Sequence, residues 1–313
     1  MTNKNEIYDL IIIGAGPAGL TAGTYASRLG LRTLILDAKA PGGRAVEAPI
    51  IENFPGFPKG ITGNELISRM KEQVSKFGAK TKSFEEVVNL DFGREFKTVT
   101  TRKAKYSSLA LIIATGTQRK KLRVPGETKF LGRGVSYCPL CDAPFFKGLR
   151  VAIVGNAEEA VTDALFLADL AKEVLLITHE GELEIADLLK RKLLDKDNVN
   201  IVNGKVTAIL GENVVKAVKI AEFKTMRERQ EKVDGVFISL GGVPMTEIVR
   251  KAGIEVDERG CIKVNRWQKT NVNGVFAAGD CTCGGMQIVT SAGEGAMAAI
   301  KASMYIKKRK RKG

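Results

Sequence analysis

The strand-like run Tyr8–Ile13 leads without a break into Gly14-Ala-Gly16-Pro-Ala-Gly19, and this junction constrains the fold more than any other stretch of the chain. Leu20–Leu29 then has helical character, and Arg32–Leu36 forms a second strand ending in Asp37. The order strand, glycine turn, helix, strand, acid is the fingerprint of a dinucleotide-binding βαβ unit. Its glycines let backbone approach a pyrophosphate resting on the helix N-terminus, and the acid after the second strand suits the ribose hydroxyls. A lone G-x-G-x-x-G would say little; the whole unit says that this chain holds a dinucleotide.

A second βαβ pattern follows, with strand Val151–Val154, helix Glu158–Leu170 and strand Val174–Thr178. Between the two, Asn64–Phe77 shows helical apolar spacing at Leu66, Met70 and Val74, and Val99–Thr101 and Leu109–Ala114 have the character of strands. Gly235–Leu240 and Gly274–Asp280 add further strands, Gly241-Gly-Val-Pro244 reads as a turn or linker, and Gln287–Tyr305 is helix-like. At 313 residues the chain is too long for one ordinary core, and two domains are expected. The fold class is therefore α/β, with two Rossmann-like, three-layer dinucleotide-binding domains.

Between these patterns lies Cys138-Pro-Leu-Cys141-Asp142, a few residues before the second strand–turn junction. C-x-x-C spacing closes a tight disulfide and can lower one thiol's pKa into the range of thiolate exchange. Asp142, next to the second cysteine, can give or take the proton such exchange moves. The plainer alternatives are a structural disulfide or half of a zinc site, whose further ligands would come from Cys261, Cys281, Cys283 and His179, the only histidine. No metal is expected. Cys281-Thr-Cys283 reads either as adventitious thiols or as a second redox or regulatory pair, Cys261 as a turn residue, and His179 as a surface residue at a strand end.

Five cysteines, an odd and sparse set, suit a reducing cytosol with one working pair, hence a cytoplasmic location. The apolar runs are strand-length, too short for a bilayer, and Glu6 and Asp9 argue against a signal peptide. The net charge of +14 includes the run Lys307, Lys308, Arg309, Lys310, Arg311 and Lys312. Such a run reads as a solvated tail, or as a device that steers an acidic partner such as an electron-carrier protein or an anionic coenzyme. Without a recognition module or interleaved aromatics, nucleic acid is not the expected partner.

Taken in order, Gly14–Gly19, Gly42-Gly43, Glu52-Asn-Phe-Pro-Gly56, Ala114-Thr-Gly116, Gly134-Val-Ser-Tyr-Cys138 through Asp142, Gly274–Asp280 and Gln287-Ile-Val resemble the low-molecular-weight thioredoxin reductases over nearly the whole chain. The resemblance implies an FAD domain of residues 1–117 with 245–313, and an inserted nucleotide-type domain of residues 118–244 carrying C-x-x-C. It implies FAD contacts at Gly14, Gly16, Pro17, Ala18, Asp37, Gly43, Arg44, Asn53, Val87, Thr115, Gly116, Gly279, Asp280, Gln287 and Ile288. Asn53 and Gln287 would offer amides to the isoalloxazine edge, and Asp280 a carboxylate to a ribityl hydroxyl. Cys141 would take electrons from the flavin, Cys138 would attack the disulfide of a thioredoxin-like or glutaredoxin-like protein, and Asp142 would move the proton. Thr117–Pro125 and Gly241–Pro244 would be the hinge strands of a swinging domain, and the enzyme a homodimer. A dihydrolipoamide-type reductase is not expected, because its longer-spaced cysteine pair belongs just after the first nucleotide unit and Pro41–Ala48 contains no cysteine.

The second nucleotide turn departs from that pattern. It reads Gly155-Asn-Ala157-Glu-Glu-Ala160, with a methyl group where a glycine should let backbone meet pyrophosphate. Where the resemblance calls for a His-Arg-Arg cluster around the NADPH 2′-phosphate, the chain has Thr178-His179-Glu180, then Glu182 and Glu184. Losing charge-assisted contacts and placing acids there weakens NADPH by about 100-fold or more. Reduced ferredoxin or a reduced deazaflavin coenzyme is the favoured donor; NADH is less excluded than NADPH, since Glu180 could accept from a free 2′-hydroxyl. A dithiol oxidase that passes electrons to oxygen, an NADH-dependent disulfide reductase, and a non-enzymatic metal or nucleic-acid binder are the rival readings.

Overall fold

The structure, a computed structural model, describes residues 7–48, 50–93, 95–179, 181, 183, 185, 187–225 and 227–311. In chain order the elements are β1 (Ile7–Ile13), α1 (Pro17–Arg28), β2 (Thr33–Leu36), α2 (Gly63–Lys76), β3 (Lys80–Lys82), β4 (Val87–Asp91), β5 (Lys97–Thr101), β6 (Lys105–Ile113) and β7 (Thr117–Arg119). There follow β8 (Val135–Ser136), α3 (Pro139–Asp142), β9 (Arg150–Val154), α4 (Glu158–Ala168), β10 (Glu173–Ile177), α5 (Asp187–Leu194), β11 (Val199–Val202), β12 (Gly204–Gly211), β13 (Val215–Glu222), β14 (Glu228–Lys232) and β15 (Gly235–Ile238). The chain closes with β16 (Gly242–Pro244), α6 (Glu247–Lys251), β17 (Val275–Ala277) and α7 (Ile288–Lys310). Contacts divide it into two compact units, Met1–Gln118 with Val243–Gly313, and Arg119–Gly242. The crossings run through β7 and β16, which pair with each other.

In the discontinuous unit the sheet runs β3-β2-β1-β6-β5-β4, with β17 also paired to β6. The β3, β2, β1, β6 and β17 ladders are parallel, while β5 and β4 form an antiparallel flap. Both faces of the parallel part are covered, so its strands are apolar without alternation. Leu10, Ile12, Ile35, Ala110 and Ile112 point to the α1, α2 and α7 side. Ile11, Ile13, Leu34, Leu36, Leu111 and Ile113 point to the other, where Val249, Ile254 and Ile262 lie. Helix α7 packs on α1 so closely that a methyl added at Gly295 would sit 2.1 Å from the Ala18 carbonyl oxygen. The unit therefore joins the beginning of the chain to its end.

The continuous unit has an all-parallel sheet, β11-β10-β9-β15-β8, beside an antiparallel β12-β13-β14 sheet. Ile153, Val161, Ala164, Leu176 and Phe237 form its helix-side core. The α/β reading with two Rossmann-like sheets holds. Among the described residues no helix is long and apolar enough to cross a membrane.

The basic run is not a separate tail. Helix α7 continues through Lys310, where Lys310 Nζ reaches Asp9 Oδ1 at 2.6 Å and Arg309 donates to the Tyr305 hydroxyl at 3.3 Å. Cations in a last helical turn are favoured by the helix dipole, which offsets their mutual repulsion. Lys312, like Glu6, lies outside the described residues.

Candidate active site

The first glycine turn is built by close packing. Gly14 leaves β1 with φ +106°, and a Cβ there would meet the Ala114 carbonyl oxygen at 2.1 Å. A Cβ on Gly19 would lie 1.8 Å from the Gly14 carbonyl oxygen. Helix α1 starts at Pro17 with no side-chain cap and no acid in its first turn, a helix end of the kind that binds an anion. Gly16 and Gly43 face each other: a Cβ on Gly43, itself at φ +57°, would stand 3.3 Å from Gly16 Cα and crowd this crevice.

Around it the structure gathers most of the residues singled out in the sequence. Asp37 accepts from Ala15 N and Lys39 N, both at 2.7 Å, although burial pushes its carboxyl pKa up. Glu85 N donates to Asp37 O at 2.8 Å, which brings Val87 near this strand end. Asp280 follows Gly279; its Oδ1 accepts from Ser291 Oγ at 3.0 Å, and its Oδ2 lies 3.6 Å from Arg44 Nη1. Arg44 Nη1 also donates to Thr117 Oγ1 at 2.5 Å, while Arg44 Nε is buried without a partner. Thr115 Oγ1 is likewise buried without a partner of ordinary geometry, with the Cys281 thiol beside it. Asn53 Nδ2 donates to Gln287 Oε1 at 3.1 Å, so the two amides first serve each other, and Ile288 opens α7 beside them. A backbone-walled crevice, an uncapped helix end and orphaned donors at Arg44 and Thr115 suit a dinucleotide with a diphosphate. These residues fit FAD. Sequence reasoning missed Glu294, whose Oε2 accepts from Gly279 N at 2.7 Å and from Thr282 Oγ1 at 3.1 Å. Burial pushes its carboxyl up.

In the other unit, Cys138 and Cys141 are joined as a disulfide. Cys138 caps the short helix α3: Cys141 N and Asp142 N donate to Cys138 O at 3.1 and 3.0 Å. Both cysteines are half-buried. Ser136, at the end of β8, ties the group together and was not foreseen. Its Oγ donates to Asp142 Oδ2 at 2.6 Å and accepts from Cys138 N at 3.0 Å. Asp142 is thereby held one hydroxyl away from the Cys138 backbone.

The second nucleotide turn runs from β9 through Gly155 to the N-cap Ala157 of α4, with Glu158 and Glu159 in the first helical turn. One turn later Asp163 Oδ2 accepts from Ser239 Oγ at 2.8 Å. Burial, only partly offset by that hydroxyl, raises the Asp163 pKa from 3.8 to about 6. A raised carboxyl pKa means that the folded state holds the proton longer than the unfolded chain. Stability contributed by this proton is complete below pH 3.8 and lost as pH rises through about 6, by at most about 3 kcal/mol. Asp163→Asn is therefore expected to be more stable than the parent at pH 7, with the difference vanishing near pH 4. Urea unfolding across that range checks it, and a gap independent of pH would refute it.

Several expectations need correction. His179 is no surface residue: it is 6% exposed, sits at φ +52°, and its Nδ1 accepts from Val206 N at 3.1 Å, because β10 turns inward toward β12. Glu180, Glu182 and Glu184 lie outside the described residues. Cys283 does not pair with Cys281; it is bridged to Cys261. The expectation of one working pair and loose thiols is thus replaced by two disulfides and one buried thiol, Cys281. Chain folding, not proximity in sequence, selects the partner.

Comparison with known proteins bears on this geometry. A family model described as pyridine nucleotide-disulphide oxidoreductase matches residues 8–296. The chain is 38% identical over 307 residues to a thioredoxin reductase of Bacillus subtilis, covering 97% of this chain and 96% of that protein. The crystal structure of thioredoxin reductase from Streptococcus pyogenes superposes with a TM-score of 0.92 at 35% identity, over 97% of this chain and 100% of that one. A ferredoxin-flavin thioredoxin reductase from Clostridium acetobutylicum matches with a TM-score of 0.53 at 34% identity, over 96% and 99% of the two chains.

Proposed function

The chain belongs to the pyridine nucleotide-disulphide oxidoreductases, in their thioredoxin reductase branch of flavin-dependent enzymes, and from that premise we propose its reaction in detail. It is an FAD-dependent reductase of the disulfide in a thioredoxin-like or glutaredoxin-like protein, with an electron donor other than NADPH. The observation that carries the first part is the Cys138–Cys141 disulfide held half-buried on the Ser136–Asp142 scaffold.

FAD would be held by Gly14, Gly16, Pro17, Ala18, Asp37, Gly43, Arg44, Asn53, Val87, Thr115, Gly116, Gly279, Asp280, Gln287 and Ile288. When bound, it supplies the two electrons that open the Cys138–Cys141 disulfide. Cys138 thiolate then attacks the partner's disulfide, forming a mixed disulfide and releasing one partner thiolate. Cys141 thiolate attacks Cys138 Sγ, restoring the internal disulfide and releasing the second. Asp142, with Ser136 Oγ as its contact, gives the proton that the departing thiolate takes. By the same resemblance the enzyme is proposed to work as a homodimer.

The donor reading rests on the second nucleotide turn. Ala157 supplies a methyl group and Glu158 and Glu159 supply two carboxylates at the helix end where a pyrophosphate would need bare amides. Asp163 adds a third carboxyl one turn on. The related Clostridium acetobutylicum protein is a ferredoxin-flavin enzyme, which supports a donor of that type; a reduced deazaflavin is the companion possibility. Under anaerobic conditions NADPH, NADH, reduced ferredoxin and reduced deazaflavin are offered separately while the visible absorbance of the oxidised flavin is followed. Rapid bleaching by ferredoxin or deazaflavin, and at least about 100-fold weaker use of NADPH, is the expected result. Efficient bleaching by NADPH would overturn the donor assignment, and peroxide release from an added dithiol in air would favour an oxidase.

A further inference from the structure

Of the two disulfides, the mechanism uses one. The other, Cys261–Cys283, belongs to the unit that carries Asp280, and its two ends differ in how they are held. The Cys261 end is fixed by its own turn: Cys261 N donates to Asp257 Oδ1, Asp257 N to Cys261 O and Gly260 N to Asp257 O, each at 2.9 Å. Ile262 N adds a bond to Cys281 O at 2.8 Å. The Cys283 end has little beyond Cys283 N to Asp280 O at 3.1 Å. Among the described residues, none of Gly284, Gly285 and Met286 donates a backbone hydrogen bond; the next is Gln287 N to Thr290 Oγ1 at 3.2 Å. Cys283 and Met286 lie at φ +58° and +56°, left-handed positions that cost a residue with a Cβ about 1 kcal/mol or more each. A segment bounded by Asp280 and Gln287 is thus kept in an unfavourable backbone by a single covalent tie.

That tie is open to exchange from one side. Cys283 is half-buried and followed by two exposed glycines, whereas Cys261 is 2% exposed. The remaining thiol, Cys281, is fully buried with its Sγ near the carbonyl oxygens of Ala278 and Ile113, at 3.4 and 3.7 Å. Burial pushes it up to about 11, so it stays protonated and outside any exchange.

We propose that Cys261–Cys283 is a second redox site, a reversible clamp on residues 280–287 that is opened by a dithiol protein of the kind the enzyme itself produces. The proposal rests on the FAD reading above, since its consequence is the grip of Asp280 and Gln287 on the flavin. One thiolate of the dithiol attacks Cys283 Sγ, the Cys261–Cys283 bond breaks, and Cys261 leaves as a thiolate and takes up a proton. The dithiol's second thiolate attacks the mixed disulfide and frees Cys283 as a thiol. Two electrons pass from the dithiol, which becomes a disulfide, to the bridge. Cys283 and Met286 then leave the left-handed region, and the flavin is held less firmly. Product that accumulates in reduced form thereby slackens the enzyme, and oxidising conditions tighten it again.

The full-length Cys138→Ser/Cys141→Ser variant, loaded with flavin, leaves this one bridge to titrate. It is placed in buffers of reduced and oxidised dithiothreitol. Alkylation with peptide mass spectrometry follows Cys261 and Cys283, hydrogen exchange follows residues 280–287, and fluorescence follows released flavin. Both cysteines are expected to become alkylated together, with exchange in 280–287 rising about tenfold and flavin leaving several times faster. Adding Cys261→Ser/Cys283→Ser should give fast exchange from the start and no response to dithiothreitol. Alkylation of both cysteines in the fully oxidised sample would overturn the proposal, as would unchanged exchange or unchanged flavin release once the bridge is open. A protein that never retains flavin would instead sink the FAD reading, while the thiol and exchange results still decide the clamp.

Discussion

Replacing Cys138 by serine is expected to lower turnover of a disulfide-bonded thioredoxin-like protein by about three orders of magnitude or more, with flavin still bound. The loss is chemical. A serine hydroxyl neither attacks a disulfide nor closes one with Cys141, so no mixed disulfide forms and none is resolved. The fold has no reason to change. Cys138 stands at the N-cap of α3, a position serine fills at least as well, and its amide keeps the Ser136 Oγ contact. Steady-state turnover together with the visible flavin spectrum tests this. Activity within a few fold of the parent would remove Cys138 from its assigned role, and loss of the flavin would mean that the substitution acted through structure.

Gly19→Ala should have the largest effect on the fold itself. The new methyl would be placed 1.8 Å from the Gly14 carbonyl oxygen, which is backbone and cannot rotate away. Gly14 cannot retreat, because its own position is packed against the Ala114 carbonyl at the end of β6. Helix α1 must therefore lift from β1, at about 2–3 kcal/mol, and the crevice facing Gly43 loses its shape. The expected result is a clearly lower Tm and protein that purifies without colour. Gly30→Ala is the comparison. Gly30 has φ +80° but nothing within 4 Å of an added Cβ, so only the backbone term of about 1 kcal/mol applies and flavin should stay. Equal stability of Gly19→Ala and the parent would show that the turn is not the rigid cradle described above.

The contrast between what was legible and what was not follows from range. Tyr8–Asp37 could be read in full because every constraint in it is local: a buried parallel strand, glycines at fixed offsets, a helix, an acid. The same holds for β9 to β10 and for the tight Cys138–Cys141 pair. The β4–β5 flap was half-seen, since β4 (Val-Val-Asn-Leu-Asp) buries only Leu90 and its register shifts between Val87 and Asn89, which erases any strict alternation. Cys261–Cys283 was not legible at all. The eye pairs Cys281 with Cys283 because they are close in sequence, yet their side chains diverge, one into the core and one toward the 257–261 turn. Ser136 and Glu294 carry no local mark either; each matters through a hydrogen bond that exists only once the strands and helices have been placed. His179 misled for the same reason, as its inward turn depends on β12.

The packing of α7 on α1 has a consequence for how the molecule is made. Residues 119–242 are contiguous and can finish folding while the ribosome is still extending the chain. The unit that begins synthesis cannot do so. Its sheet waits for β17, and the face of its first helix that meets α7 remains open until α7 has emerged and settled at Gly295. Nascent β1, β2 and α1 therefore wait through the synthesis of residues 119–242 with part of their apolar surface exposed, an interval in which this unit is open to misassembly.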